Sequence, residues 1–338
     1  MTRVRFGFVA LSLELKESSP SKTMTYASFS KLADREAALG RLEQIANTNL
    51  HNTLRLLKHC YGNDIMVYRF SSKLIPLATH AALEDWVPYD KLAEPFQAIG
   101  QFVKDKGMRV SLHPDHFCVF STPREEVLKS SIRDMEYHVA MLEAMGLDEK
   151  SKCNIHMGGA YGDKETAGKR FIQQFSELPA RIRHRVTLEN DDKTFNVAET
   201  LAAAEAVGVP MVLDIHHHWV NPGSITEDEL IHYYWPRIVA TWTRECERLN
   251  VTLDELPVKI HSSSPKSLSD PRGHADYVEV EPLLHFLQQA KQHASAIDCM
   301  LEAKAKDAAL FQLMDELRVK AQQHEHMVVL NNGAIELI

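Results

Sequence analysis

Eight times along this 338-residue chain a short apolar run is followed by a longer stretch with helical periodicity. The apolar runs fall at 4–11, 64–69, 109–112, 153–156, 185–189, 211–215, 258–261 and 296–301. The helical segments fall at 34–58, 91–106, 123–145, 164–178, 196–207, 226–248, 281–293 and 306–323. Strands that alternate with helices must run parallel and be joined by right-handed crossovers, which puts the helices over the sheet. Eight regular units close into a (β/α)8 TIM barrel. A doubly wound open sheet is the main competitor, but no glycine-rich phosphate loop follows an early strand, and this favours closure. Local signals agree with the helices. Thr226 and Glu229 form a capping box, and Gly107, Gly146 and Gly208 stand just past helix ends, where a left-handed residue is wanted. No internal repeat or low-complexity linker divides the chain. The expectation is one domain over 1–338, with the barrel at about 4–322, a tail at 323–338 and a long Ser/Thr-rich first loop at 16–31.

Barrels of this kind carry their chemistry on the loops after the strands. His80 follows the second run in LIPLATH, His113 ends the third in SLHPDHF, His156 the fourth in NIHMGG and Glu189 the fifth in TLENDD. Asp214 with His216, His217 and His218 ends the sixth in LDIHHH. Lys259 and His261 end the seventh in VKIHSSS, His274 lies in its loop, and Glu302 ends the eighth in MLEAKAKD. One histidine at a strand end is more often a hydrogen-bonded loop residue than a ligand, and one glutamate is more often a first-turn charge. Seven successive strands delivering such groups to one rim would bury many polar atoms without partners unless cations satisfied them.

Mixed imidazole and carboxylate ligands without thiolate suit Mn, Fe, Co or Zn in sites open to substrate. The set is too large for one ion, so two or three divalent ions are expected, with Glu189 and Glu302 as bridging and catalytic carboxylates. Ions about 3.5–4 Å apart stabilise both the attacking and the leaving oxygen at phosphorus, which points to phosphodiester hydrolysis. Lys259 shares a strand face with His261, where an ammonium would be repelled by the cations. A neutral amine, a carbamate that supplies a further oxygen, or a pairing with Asp214 would resolve this. The histidines at 51, 59, 138, 184, 232, 285, 293, 324 and 326 lie on helices or in the tail and read as surface residues.

Composition adds bounds. The formal charge of -8 would argue against a nucleic-acid binder, except that bound divalent ions return positive charge to one face. The 18 histidines are about double the usual usage. Five scattered cysteines without a CxxC pair read as reduced thiols. With no long apolar span and no signal-peptide pattern, a cytoplasmic protein with no membrane contact is expected.

In combination, GFVALSLEL, SPSKTMTY, YRFSSKLIPLATH, SLHPDHF, NIHMGGAYGDK, LENDD, LDIHHHWVNP, KIHSSSP, HADY and MLEAKAKD resemble the UV damage endonuclease family from about Val4 to Lys306. The resemblance implies a barrel related to endonuclease IV and xylose isomerase. It also implies a metal-dependent DNA-repair endonuclease that cuts immediately 5′ to cyclobutane dimers, 6-4 photoproducts and some other lesions, abasic sites among them. Three ions are implied, commonly Mn2+, with Zn2+ or Co2+ as alternatives. The matched metal ligands are His80, His113, His156, Glu189, Asp214, His217, His261, His274 and Glu302, so the resemblance selects His217 from its run.

Lys259 matches a lysine that relatives can carboxylate. His116 and Phe117 match a pair that probes the duplex, where a flat side chain and an apolar wedge would hold a damaged dinucleotide flipped out. Phe8 and Ser12 stand where relatives place an aromatic and a polar residue near the lesion, although Phe8 lacks a tyrosine's hydroxyl. The implied partner is damaged double-stranded DNA, bound by a monomer. The rival readings are a sugar isomerase on the same barrel, a lesion-binding protein without catalysis, and an abasic-site endonuclease. Activity on a sugar, binding without cleavage, and preference for an abasic over a dimer-containing duplex would respectively mark them.

Overall fold

The computed structural model describes residues 1–323 and 326–338. Eight parallel strands close into a barrel: β1 (Thr2–Val9), β2 (Val67–Arg69), β3 (Arg109–Leu112), β4 (Lys152–His156), β5 (Val186–Glu189), β6 (Met211–Asp214), β7 (Val258–Ser262) and β10 (Ala296–Leu301). Each pairs with its neighbour, and β10 returns to β1 over Arg3 to Phe8. The principal helix after each strand covers the outside, from Arg35–Gly62 after β1 to Lys306–Gln323 after β10. The closed TIM barrel expected from the alternation is what forms. The three glycines past helix ends all have positive φ, at 61°, 66° and 73°.

Departures from the sequence reading have local causes. The first long helix runs to Gly62 rather than ending near Lys58, and Asp64 then takes a left-handed backbone (φ 60°), so β2 begins only at Val67. The expected helix at 226–248 is interrupted. Its capping box starts Glu227–Glu229, a π-turn follows at Leu230–Tyr234, and Trp235–Leu249 resumes with Pro236 in its first turn. Proline has no N–H to give and crowds the carbonyl four residues back, so the ladder widens ahead of it.

Within the expected tail, residues 327–337 form a hairpin, and His324 lies outside the described residues. Ala334–Leu337 (β12) pairs antiparallel with Thr2 to Arg5, and Met327–Asn331 (β11) pairs with β12. The short β2 reaches only Gly7 to Val9 of β1, so the lower edge of β1 would otherwise bury unpaired amides and carbonyls. A further hairpin, β8 (Pro265–Ser267) and β9 (Asp270–His274), stands in the seventh loop. His138 is also corrected. It is buried within helix Glu125–Ala144, where its Nδ1 donates to the Asp134 carbonyl at 2.7 Å, and burial pushes it down to about 4.

Alternation decides what faces the lumen. Arg109 of β3 reaches Asp298 of β10 at 2.8 Å, three strands round the barrel, so both side chains cross the interior. Even-numbered residues of β1 point the other way, into the apolar layer beneath the helices, where Val4, Phe6 and Phe8 are wholly buried.

Close packing also sets limits outside the barrel. A Cβ added at Gly100, on helix Ala93–Lys106, would stand 1.6 Å from the Met145 carbonyl oxygen. Gly100→Ala is therefore expected to lower stability by at least about 1–3 kcal/mol, the usual range for overpacking. Denaturant unfolding checks this, and an unchanged midpoint would refute it.

Candidate metal centre

The side chains at the carboxyl ends of the strands converge on Glu189. Its Oε2 lies 3.2 Å from His113 Nε2, and its Oε1 lies 3.1 Å from His261 Nδ1 and 3.5 Å from His217 Nδ1. His261 Nδ1 is also 3.1 Å from Glu302 Oε1. Donor atoms of His113, His156 and Glu189 form one close group, and those of Glu189, Asp214, His261 and Glu302 form a second, so Glu189 belongs to both. His274, at the end of β9, donates through Nδ1 to the Glu302 carbonyl at 2.7 Å, and its ring is tilted 57° to that of His217, centroids 6.1 Å apart.

Within the histidine run, His217 alone is turned to Glu189 and Asp214 among the described contacts. His216 instead meets Ser263 Oγ at 2.7 Å and the Pro271 carbonyl at 2.8 Å. The reason is helical: Asp214 caps the short helix Ile215–Val220, accepting from the His217 amide at 2.7 Å, so His217 lies over its own cap.

Charge in this cluster is strongly interdependent. Burial opposes ionisation of Glu189, but His261 and His156 outweigh it and hold its carboxyl well below the usual range. Burial likewise opposes ionisation of Glu302, and Arg69 with His261 overcomes it. Burial works against charge on His217 and His261 too. Asp214 and Glu189 around the first, and Glu189 and Glu302 around the second, push both up to about 9. Asp214 Oδ2 is buried without a hydrogen-bond partner. An orphaned buried carboxylate oxygen is costly, and a coordinated cation would remove the penalty. Three carboxylates among five imidazoles make a donor set that fits divalent ions of the Mn, Fe, Co and Zn group.

Other sequence-picked residues are placed differently. His80 stays at the rim, where its ring stacks on Tyr26 (centroids 4.1 Å apart, 16° between planes) and its Nδ1 accepts from the Ala82 amide. It belongs to none of the close donor groups among the described residues. Lys259 is buried one step below His261, and its charged neighbours are Asp298, Arg109, Arg69 and Lys152 rather than Asp214. Burial, with Arg109 and Arg69, pushes its amine down to about 8 despite Asp298.

Phe8 is a correction. It is wholly buried with its ring edge-on to Tyr68, centroids 5.6 Å apart, and presents no surface to a duplex. The alternating Val4, Phe6, Phe8 pattern was the available signal. The hydroxyl of Ser12 donates to Asp307 and accepts from the Leu15 amide, so it pins the first loop to the start of the last helix. His116 and Phe117, by contrast, are 74% and 73% exposed, with ring centroids 4.0 Å apart.

Two residues went unnoticed in the sequence. Asn154 donates to Glu189, and Arg69 donates to Glu302. Neither is a usual metal ligand, and only the tertiary contact marks them. Partners that orient ligands typically matter 10–100-fold, so Asn154→Ala is expected to weaken metal binding by roughly that factor in a titration calorimeter. Unaltered affinity would show that Glu189 is held well enough by its imidazoles.

A closed parallel barrel with imidazoles and carboxylates gathered above its strands defines a TIM-barrel protein with a candidate multinuclear metal face. A model of the UV-endonuclease UvdE family matches residues 4–336, and the chain belongs to that family. It is 41% identical over 337 residues to a UV DNA damage endonuclease of Halalkalibacterium halodurans, covering 99% of each chain. To a UV DNA damage endonuclease of Bacillus velezensis it is 44% identical over 314 residues, covering 93% of each. The crystal structure of SacUVDE matches with a TM-score of 0.76 and 28% identity, over 94% of this chain and 99% of that one. Endonuclease IV from Thermus thermophilus matches with a TM-score of 0.51 and 12% identity, over 95% and 100%, a likeness of fold. No helix among the described residues is long and apolar enough to cross a membrane.

Proposed function

We propose that this chain is a DNA-repair endonuclease that hydrolyses the backbone immediately 5′ to a UV photoproduct in double-stranded DNA. Two or three divalent ions, manganese foremost, would be held by His80, His113, His156, Glu189, Asp214, His217, His261, His274 and Glu302. The observation that carries this reading is the buried, unpartnered Asp214 oxygen beside a glutamate shared by two donor groups. When bound, such ions stabilise the entering and departing oxygens of an in-line displacement at phosphorus.

The chain's own groups prepare that site. Glu189 orients His113 and His261, Asn154 fixes Glu189, and Arg69 holds Glu302 while lending positive charge to the face a phosphate approaches. His80 is the outlying member of the ligand set, and the His80→Ala variant is expected to lose one ion by elemental analysis. An unchanged count would remove it from the set. Lys259 is proposed to react with carbon dioxide, its nitrogen bonding to carbon and releasing a proton. The resulting carbamate turns a surplus cation into an anion beside Arg109 and Lys152. A mass gain on that residue in the intact protein tests this.

His116 and Phe117 are exposed apolar and flat surfaces suited to filling the gap left by an unstacked dinucleotide, whose disrupted pairing lowers the opening cost. The decisive experiment compares nicking of UV-irradiated and unirradiated plasmid, with manganese and with chelator. Selective, chelator-sensitive nicking is expected. Equal cutting of both plasmids, or cutting that survives chelation, would overturn the reading. Phe117→Ala is expected to reduce the preference for irradiated plasmid at least about tenfold, in line with the loss of one stacking contact.

A further inference from the structure

We infer that Leu268, at the tip of the β8–β9 hairpin, is a second apolar wedge that enters damaged duplex DNA from the side opposite Phe117. The inference rests on the proposed DNA-facing role of the metal rim and extends it to a residue that no motif singles out. Leu268 is fully exposed, and it is the most exposed large apolar side chain among the described residues. A single exposed leucine is ordinary on a surface, so the case depends on what carries it.

The hairpin is a braced support. Pro265 pairs with His274, so the strand that offers its tip to solvent ends in a candidate metal ligand. Arg272 Nε donates to Asp192 in the fifth loop at 2.6 Å, and the Pro271 carbonyl bonds to His216 of the sixth at 2.8 Å. The Ser267 hydroxyl closes the turn, accepting from the Asp270 amide at 3.0 Å. Leu268 stands three residues beyond Pro265, so the strand carries it roughly 10 Å along the hairpin from the level of His274.

Barrel order places the roots of the two loops. The sequence β1, β2, β3, β4, β5, β6, β7, β10 puts β3 and β7 four strands apart, diametrically opposite across the metal cluster. The third loop raises Phe117, and the seventh raises Leu268. Two apolar projections that straddle the cluster can unstack adjacent base steps, as apolar side chains do when they kink a duplex. Lys266, on the same hairpin, is more than half exposed and lies 3.6 Å from Asp270, an exposed pair that a flanking phosphate could displace.

The test uses the full chain with Leu268→Ala and Leu268→Asp. A fully exposed tip side chain supports no packing, so both variants should melt as the parent does. On a dimer-containing duplex, Leu268→Ala is expected to raise KM about tenfold with kcat within twofold, and Leu268→Asp to raise it further. The slope of affinity against salt should stay unchanged, because no phosphate contact is lost. A 2-aminopurine opposite the lesion should brighten on binding the parent and brighten less with Leu268→Ala. Parental KM and fluorescence in the variants would overturn the wedge while leaving the endonuclease reading intact. So would equal weakening on intact and damaged duplex. A parent that fails to nick irradiated DNA at all would instead bring down the reading beneath it.

Discussion

Replacing Glu189 with glutamine is expected to lower manganese-dependent nicking of irradiated plasmid about 10^4-fold, the scale seen when one member of an interdependent catalytic group is removed. The side chain keeps its shape and loses its charge, and that charge is what the surrounding groups share. His113 and His261 both bond to it, His217 lies 3.5 Å away, and Asn154 donates to it. A glutamine presents an N–H2 to at least one partner that also donates, so the hub would repel where it now attracts. Elemental analysis should show at least one ion lost. Full metal content with nicking within tenfold of the parent would show that Glu189 does not join the two donor groups.

Metal removal should do more than stop nicking, and pH sets its size. Without ions, His217 and His261 are pushed up to about 9, against about 6.5 for an unfolded histidine. Groups raised in this way contribute stability that is fully present below about pH 6.5 and lost as pH climbs through their folded value. The chelated protein should therefore melt lower as pH rises from about 6.5 to about 9. Divalent ions replace those protons, so binding should release about two and tighten across the same window. The gap between melting temperatures with manganese and with chelator should widen towards alkaline pH. Differential scanning calorimetry reads the gap, and titration in buffers of different ionisation enthalpy reads the protons. A chelated midpoint that rises over this window would contradict the charge arrangement around Glu189.

Glu302 makes the link between site and barrel explicit. At the end of the last strand it touches His261 from β7, while its charge is answered by Arg69 from β2. Its candidacy was legible because a carboxylate after an apolar run at a strand end is a recognisable pattern. Its partner was not, because the arginine inside YRF has no spacing relation to a glutamate 233 residues later. The same holds for Asn154, which sits inside NIH as an unremarkable strand residue.

The misjudged residues follow a common rule. Phe8 was drawn to the lesion by its place after the first strand, yet strand alternation turns it toward the helices, where Tyr68 covers it. His138 looked like a surface helical residue, and close packing of that helix buries it. For Phe8 the deciding neighbour is far along the chain.

What the sequence determined by itself is periodic and local. Eight alternations of apolar run and helical segment required parallel strands with covering helices, and the residue ending each run had to lie at one rim. The candidate ligand rim was therefore readable from the sequence. Tertiary structure alone decided which members of that rim touch. Glu189 sits at the join of two donor groups, His216 turns away to brace a hairpin, and the last residues of the chain pair with the first strand. Contact at a site depends on strand stagger and loop packing around a closed ring, and neither leaves a period in the sequence.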